Sequence, residues 1–198
     1  REVTDRAHAV VLAGGTLKPV EDLVSQLLPH MPPEKVHTFS CGHVVSPDRI
    51  LPPALARGPS GAPLEFKHEN RSNPAALDEL GRLLVNVCKV VPQGVVCFLP
   101  SFAYEEQVHR HFASTGVLGT LGRRKRVFRE PRSAADVEKV LKDYAAANER
   151  PGAPPGGLTG ALLFSVVGGK MSEGINFSDG LGRCVVMAVS YTHLTLPT

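Results

Sequence analysis

Short apolar runs of strand length alternate with helix-periodic segments along this chain, and that alternation constrains the fold more than any other feature. Val95–Leu99 (VVCFL), Ala161–Val167 (ALLFSVV) and Cys184–Val189 (CVVMAV) read as buried strands, and Arg126–Arg129 is a further strand candidate. Before the first of these, Leu77, Leu80, Leu84, Val87 and Val91 recur at steps of three and four residues, which marks one buried helix face. Asn73 as N-cap with Pro74 next opens that helix, and Pro92 and Gly94 close it. Pro100 and Ser101 open the next helix, roughly Phe102–Ser114. Ser133 with Asp136 three residues on resembles a capping box and starts a helix over Ala134–Ala147. Strands alternating with helices predict an α/β fold, a parallel sheet flanked by helices. No internal repeat interrupts the pattern.

The flanking segments are less regular. The apolar run His8–Ala13 enters Gly14–Gly15, and Pro19 precedes a helical pattern over Val20–Leu28. Residues 29–63 are rich in Pro and Gly and read as irregular, with one short strand near Val36–Phe39. Leu64–Lys67 is another strand candidate, and Asn148–Gly160 has the composition of a flexible surface loop. A length of 198 residues favours one domain with extra loops, and 42% hydrophobic residues suffice for a core. No apolar run approaches the length of a membrane span and the first residues do not resemble a secretory leader, so no membrane partner is expected.

Charge adds little. There are 22 Lys and Arg against 19 Asp and Glu, a net +3 that is compatible with nucleic acid without requiring it. Arg123-Arg124-Lys125-Arg126 reads first as a solvated turn before a strand, with DNA or partner contact and nuclear import as the alternatives. Cys41, Cys88, Cys97 and Cys184 form no C-x-x-C pair, and Cys88 and Cys97 read as small buried hydrophobes in a reducing compartment. His37, Cys41 and His43 lack a fourth ligand of clear spacing, so no metal site is expected. His109 and His111 lie two apart on a helix and share no face, and Arg71 before the first long helix reads as a surface ion pair or a DNA contact.

The segment carrying most chemistry is Gly168–Asp179 (GGKMSEGINFSD), directly after a strand, where open α/β sheets place their ligands. A phosphate-cradling P-loop needs Gly at position 164 and Ser or Thr at 171. Phe164 and Met171 stand there, so it is not a Walker A loop. Glycines nevertheless let backbone approach phosphates, Lys170 and Ser172 suit anionic oxygens, and Glu173 and Asn176 suit a sugar hydroxyl or an arginine. The bland alternative is an ordinary tight turn.

Three segments together carry a resemblance. Gly169–Phe177 (GKMSEGINF) resembles motif V of the iron–sulfur superfamily 2 DNA helicases, the XPD, FANCJ and DinG group of DEAH type. Ala13–Pro19 (AGGTLKP) resembles that family's motif III, and Val95–Phe102 (VVCFLPSF) its motif IV. Order and spacing fit over Arg1 to about Val189, and the match is closest to the Chl-type branch linked to sister-chromatid cohesion.

The resemblance implies a RecA-like parallel sheet, incomplete at its C-terminal edge. Residues 1–19 would end a first motor domain, residues 20–189 would form the second in part, and residues 190–198 (SYTHLTLPT) would be a non-native tail. It implies a parent ATP-dependent 5′-to-3′ DNA helicase of the nucleus, acting in DNA repair on single-stranded or forked DNA. ATP and Mg2+ would bind between the two motor domains, an iron–sulfur cluster would sit elsewhere in the parent, and cohesion or replication proteins would be partners. By position, Gly15, Thr16, Glu173, Gly174 and Asn176 would face the ATP cleft, while Ser101, Phe102, Lys170 and Ser172 would face DNA. Family members often carry Arg at Gly168 and Asp at Asn176, and the amide can bind a ribose hydroxyl without carrying charge.

No Walker A loop, acidic box, cluster cysteines or arginine-rich motif VI is present, so no catalytic residue is expected and the chain alone is expected not to hydrolyse ATP. The alternative is a non-enzymatic module, from a truncated or spliced product, that binds nucleic acid or a partner without turnover.

Overall fold

The computed structural model describes residues 6–14, 17–42, 45–67, 69–70, 72–149, 157–174 and 177–189. The chain divides into two compact units, Arg1–Pro52 and Pro53–Thr198. The first holds α1 (Val20–Leu27), two single turns of 3-10 helix at Pro33–Lys35 and Pro47–Arg49, and irregular backbone. None of its described residues is buried. No strand forms near Val36–Phe39, where the expectation was one. That stretch has no neighbouring strand to complete a ladder, and an isolated extended segment gains nothing from β propensity alone.

The second unit contains the sheet. Its elements run α2 (Pro74–Val90), β1 (Val95–Leu99), α3 (Phe102–Ser114), α4 (Val117–Gly122), β2 (Arg126–Arg129), α5 (Ala134–Asn148), β3 (Ala161–Val166), α6 (Lys170–Gly174) and β4 (Cys184–Met187). All pairings are parallel, in the spatial order β2-β3-β1-β4, with Val95 opposite both Leu162 and Cys184 and Val127 opposite Leu162. Leu64–Lys67 forms no strand. Its backbone belongs to a loop closed by an antiparallel bridge between Arg57 and Pro63 and by the Leu64 N–H to Ala56 carbonyl bond at 3.0 Å.

Alternation along the central strands makes three layers. Val95, Cys97, Leu99, Leu162 and Phe164 pack on one face against α2, α3 and α4, through Leu77, Leu80, Leu84, Val108, Phe112 and Leu121. Val96, Ala161 and Leu163 pack on the other against Tyr144 of α5 and Met171 of α6. The central strands are therefore buried on both sides and read as apolar runs, whereas β2 and β4 at the edges are half exposed. Asn73 caps α2 by accepting from the Ala75 N–H at 3.0 Å, and Ser133 caps α5 through the Ala135 N–H at 3.3 Å. No described helix is long and apolar enough to cross a membrane.

The N-terminal ends of the strands are tied together by polar groups. Lys125, immediately before β2, is fully buried, and its Nζ donates to the carbonyls of Val91 and Gln93 at 2.7 Å each and of Thr159 at 3.3 Å. This corrects the reading of residues 123–126 as a uniformly solvated turn: Arg123, Arg124 and Arg126 are exposed, but Lys125 joins the approaches to β1, β2 and β3. Burial pushes its pKa below the ordinary lysine value. Asn148 works alongside it, its side chain accepting from the Ala161 N–H and donating to the Tyr144 carbonyl, both at 2.9 Å.

Candidate nucleic-acid interface

The opposite, C-terminal end of the sheet is where the chain changes direction. Strands β1 and β3 are neighbours, ending on the pair Leu99–Val166, and the Val167 N–H donates to the Leu99 carbonyl at 2.9 Å. After β1 the chain passes β3 to reach β2. After β3 it turns back past β1 to reach β4. Residues 100–102 and 167–172 thus leave the sheet side by side and diverge to opposite faces, which opens the crevice where α/β sheets bind ligands.

Ser101 is the N-cap of α3, with extended backbone, and its Oγ accepts from the Tyr104 N–H at 3.2 Å. Phe102 is half-buried, and the guanidinium of Arg132, in the segment after β2, lies 5.6 Å from its ring centroid. One turn along α3, Glu105 accepts a two-pronged pair from Arg129 of β2, at 2.7 Å from Nε and 2.6 Å from Nη2. Glu106 accepts from the same Nη2 at 2.7 Å, and that guanidinium holds the Glu106 carboxyl below the usual carboxylate range. The same two carboxylates, Glu105 foremost, raise the Arg129 pKa further.

The segment after β3 turns at Gly168, whose φ of +72° is the left-handed region that favours glycine. Lys170 then opens α6 and is exposed, and no ion pair with it forms among the described residues. Ser172 is half-buried and its hydroxyl donates to the Gly169 carbonyl at 2.7 Å. Six of the nine expected site residues, Ser101 and Phe102 on one segment and Lys170, Ser172, Glu173 and Gly174 on the other, therefore stand on adjoining segments at the C-terminal end of the sheet, although the two are about 70 positions apart in sequence.

The whole stretch from Leu84 to Pro197 matches the family model for the helicase C-terminal domain. This chain belongs to that family. Over 188 residues it is 54% identical to the human ATP-dependent DNA helicase DDX11, which is 94% of this chain and 19% of that protein. It is 49% identical to the Danio rerio ATP-dependent DNA helicase DDX11 over 199 residues, 99% of this chain and 22% of the relative. The Candida albicans ATP-dependent DNA helicase CHL1 is 41% identical over 189 residues, 94% and 21% respectively. The chain thus spans about a fifth of the length of the curated relatives it matches. The parallel α/β sheet and the Chl-type resemblance agree with this membership.

Not every expected residue can be placed. Gly15, Thr16 and Asn176 lie outside the described residues, as do His43, Arg71, residues 150–156 and residues 190–198. Glu173 and Gly174 end α6. An iron–sulfur cluster does not fit the cysteines of this chain. Cys88 and Cys97 are buried in the core, where burial pushes the Cys88 thiol up to about 11 and the Cys97 thiol higher, Cys41 is exposed, and the described residues gather no ligand set around any of them. Nor do the described residues bring together three or more His, Cys, Asp or Glu side chains able to hold a metal ion, so no step through Mg2+ is assigned to them.

Two residues at this edge carry no signal in the sequence reading. Arg132 pairs with Phe102 only because the segments after β2 and β1 meet in space. Glu130 follows β2 as an ordinary acidic residue, yet it is only 5% exposed and hydrogen-bonded to the end of β3 and to the segment after it. A carboxylate after a strand is usually a solvated one, and only tertiary contact distinguishes it.

Proposed function

We propose that this chain supplies the second RecA-like motor domain of an ATP-dependent 5′-to-3′ DNA helicase, with residues 1–19 as the end of the first. The observation that carries the reading is the juxtaposition, at the sheet's switch point, of the motif IV strand end Ser101–Phe102 with the motif V segment Lys170–Ser172. On this reading that edge lines the path of single-stranded DNA, with Lys170 on phosphate and Phe102 and Arg132 offering a face for a base or sugar. Gly15, Thr16, Glu173, Gly174 and Asn176 face ATP and Mg2+ held between two motor domains, and the parent acts in the nucleus on single-stranded or forked DNA in repair, with cohesion or replication proteins as partners. Phosphoryl transfer requires a metal, a cradled γ-phosphate and an arginine finger. On this reading the rest of the parent supplies that set, and the chain alone binds without turnover.

The test is fluorescence anisotropy of a labelled oligothymidylate with the 198-residue chain, titrated with salt. Lys170→Ala should weaken binding about tenfold and lower the salt slope by about 0.7, the value for one phosphate contact on a single strand. An unchanged affinity and slope would remove Lys170 from the DNA path. Turnover of ATP by the chain alone would overturn the inactive assignment.

A further inference from the structure

We infer that Glu130 is a positioning residue for the segment that carries Lys170 and Ser172: it caps α6 from a different strand and fixes that segment against the sheet edge for nucleic acid. The nucleic-acid part of this inference rests on the reading above; the capping part does not.

Glu130 extends the β2–β3 ladder by one step, its N–H donating to the Phe164 carbonyl at 2.8 Å. From there its carboxylate reaches across β3. Oε2 accepts from the Ser165 hydroxyl at 2.7 Å and the Val166 N–H at 2.8 Å, and Oε1 accepts from the Met171 N–H at 3.1 Å. The Met171 N–H lies in the first turn of α6, where helix donors have no partner within the helix. A β-carbon on Gly169 would lie 2.3 Å from Oε1, so the residue before Lys170 has to be glycine for the carboxylate to fit. The Met171 side chain is itself buried, in the core cluster with Val96 and Leu163. Lys170 is therefore exposed between Gly169, against which the Glu130 carboxylate packs, and Met171, whose N–H that carboxylate accepts.

Among the described residues no cation pairs with Glu130. A buried carboxylate without a counter-ion is a costly way to close a strand end. What it offers, and a neutral side chain does not, is two acceptor oxygens in one rigid plane, serving three donors from a strand and from the segment beyond it.

Glu130→Gln separates the two halves of this arrangement. The glutamine oxygen is held where two donors compete for it, at Ser165 and Val166, which turns its NH2 toward the Met171 N–H and breaks only the α6 contact. In the 198-residue chain, hydrogen exchange of the Met171 amide should accelerate about tenfold, with Cys97 and Leu163 amides unchanged, as expected for loss of one cap hydrogen bond. Affinity for labelled oligothymidylate should fall about fivefold, with the salt slope reduced as for Lys170→Ala. Ser165→Ala removes the hydroxyl donor and leaves the Met171 contact, so it should lower the urea midpoint without changing affinity.

Unchanged Met171 exchange in Glu130→Gln would overturn the cap. Faster exchange with unchanged affinity would reduce Glu130 to a structural residue, and equal loss of affinity in Ser165→Ala would assign the effect to the strand end instead. If the unsubstituted chain fails to bind oligothymidylate, the nucleic-acid reading falls, and the exchange result alone decides the cap.

Discussion

Lys125 and Arg124 are neighbours in a run of four cations and have opposite fates. Arg124 is exposed, while the Lys125 ammonium is enclosed by three carbonyls at the N-terminal end of the sheet. Lys125→Met leaves those acceptors without a donor and should cost about 3 kcal/mol of stability by urea unfolding, whereas Arg124→Met should stay within about 0.5 kcal/mol. Glu79 offers the acid-side counterpart. It is 1% exposed, accepts from the Ser60 N–H at 3.0 Å and pairs with Arg82, and the Ser60 hydrogen bond foremost holds its carboxyl below the ordinary 4.5. Folding therefore favours the ionised form: the contribution is complete above the ordinary carboxylate pKa and is lost as pH falls through the lower folded-state value. Urea midpoints taken from about pH 6 down to about pH 3 should drop more steeply for the native chain than for Glu79→Gln. A buried cation and a buried anion in this domain thus both act by closing backbone groups, which sequence alone does not announce.

Elements were legible where local chemistry and tertiary packing agree. β1 and α3 match their expected bounds because a continuous apolar run and a serine cap each specify one structure, and β2 matches the candidate Arg126–Arg129. The two strands expected at residues 36–39 and 64–67 did not form, since neither segment gains a sheet neighbour. Conversely α4, Val117–Gly122, has two glycines in six residues and little helix propensity, yet Leu121 is buried against the core, and burial outweighs propensity. Packing between elements should be measurable in the same way. Leu84→Ala empties a fully buried position on α2 and should cost about 3 kcal/mol in urea unfolding. Arg129→Ala leaves Glu105, at 5% exposure, without its partner and frees α3 from β2, with an expected loss of about 2 kcal/mol.

At the scale of the molecule, every described buried residue lies in the second unit. A fragment starting at Pro53 should unfold cooperatively with nearly the denaturant sensitivity of the whole chain, and residues 1–52 alone should show no cooperative transition by circular dichroism. A sharp transition in the shorter piece would place a second core there. The sequence by itself determined the α/β class, the order of the main elements and the family, because periodicity, caps and motif spacing are local properties that survive without knowledge of neighbours. Only the tertiary structure decided that Ser101–Phe102 and Lys170–Ser172 share one edge, that Arg132 joins Phe102, and that Glu130 and Lys125 are buried. Those facts depend on the strand order β2-β3-β1-β4, which brings distant segments together through burial and hydrogen bonds that no local spacing encodes.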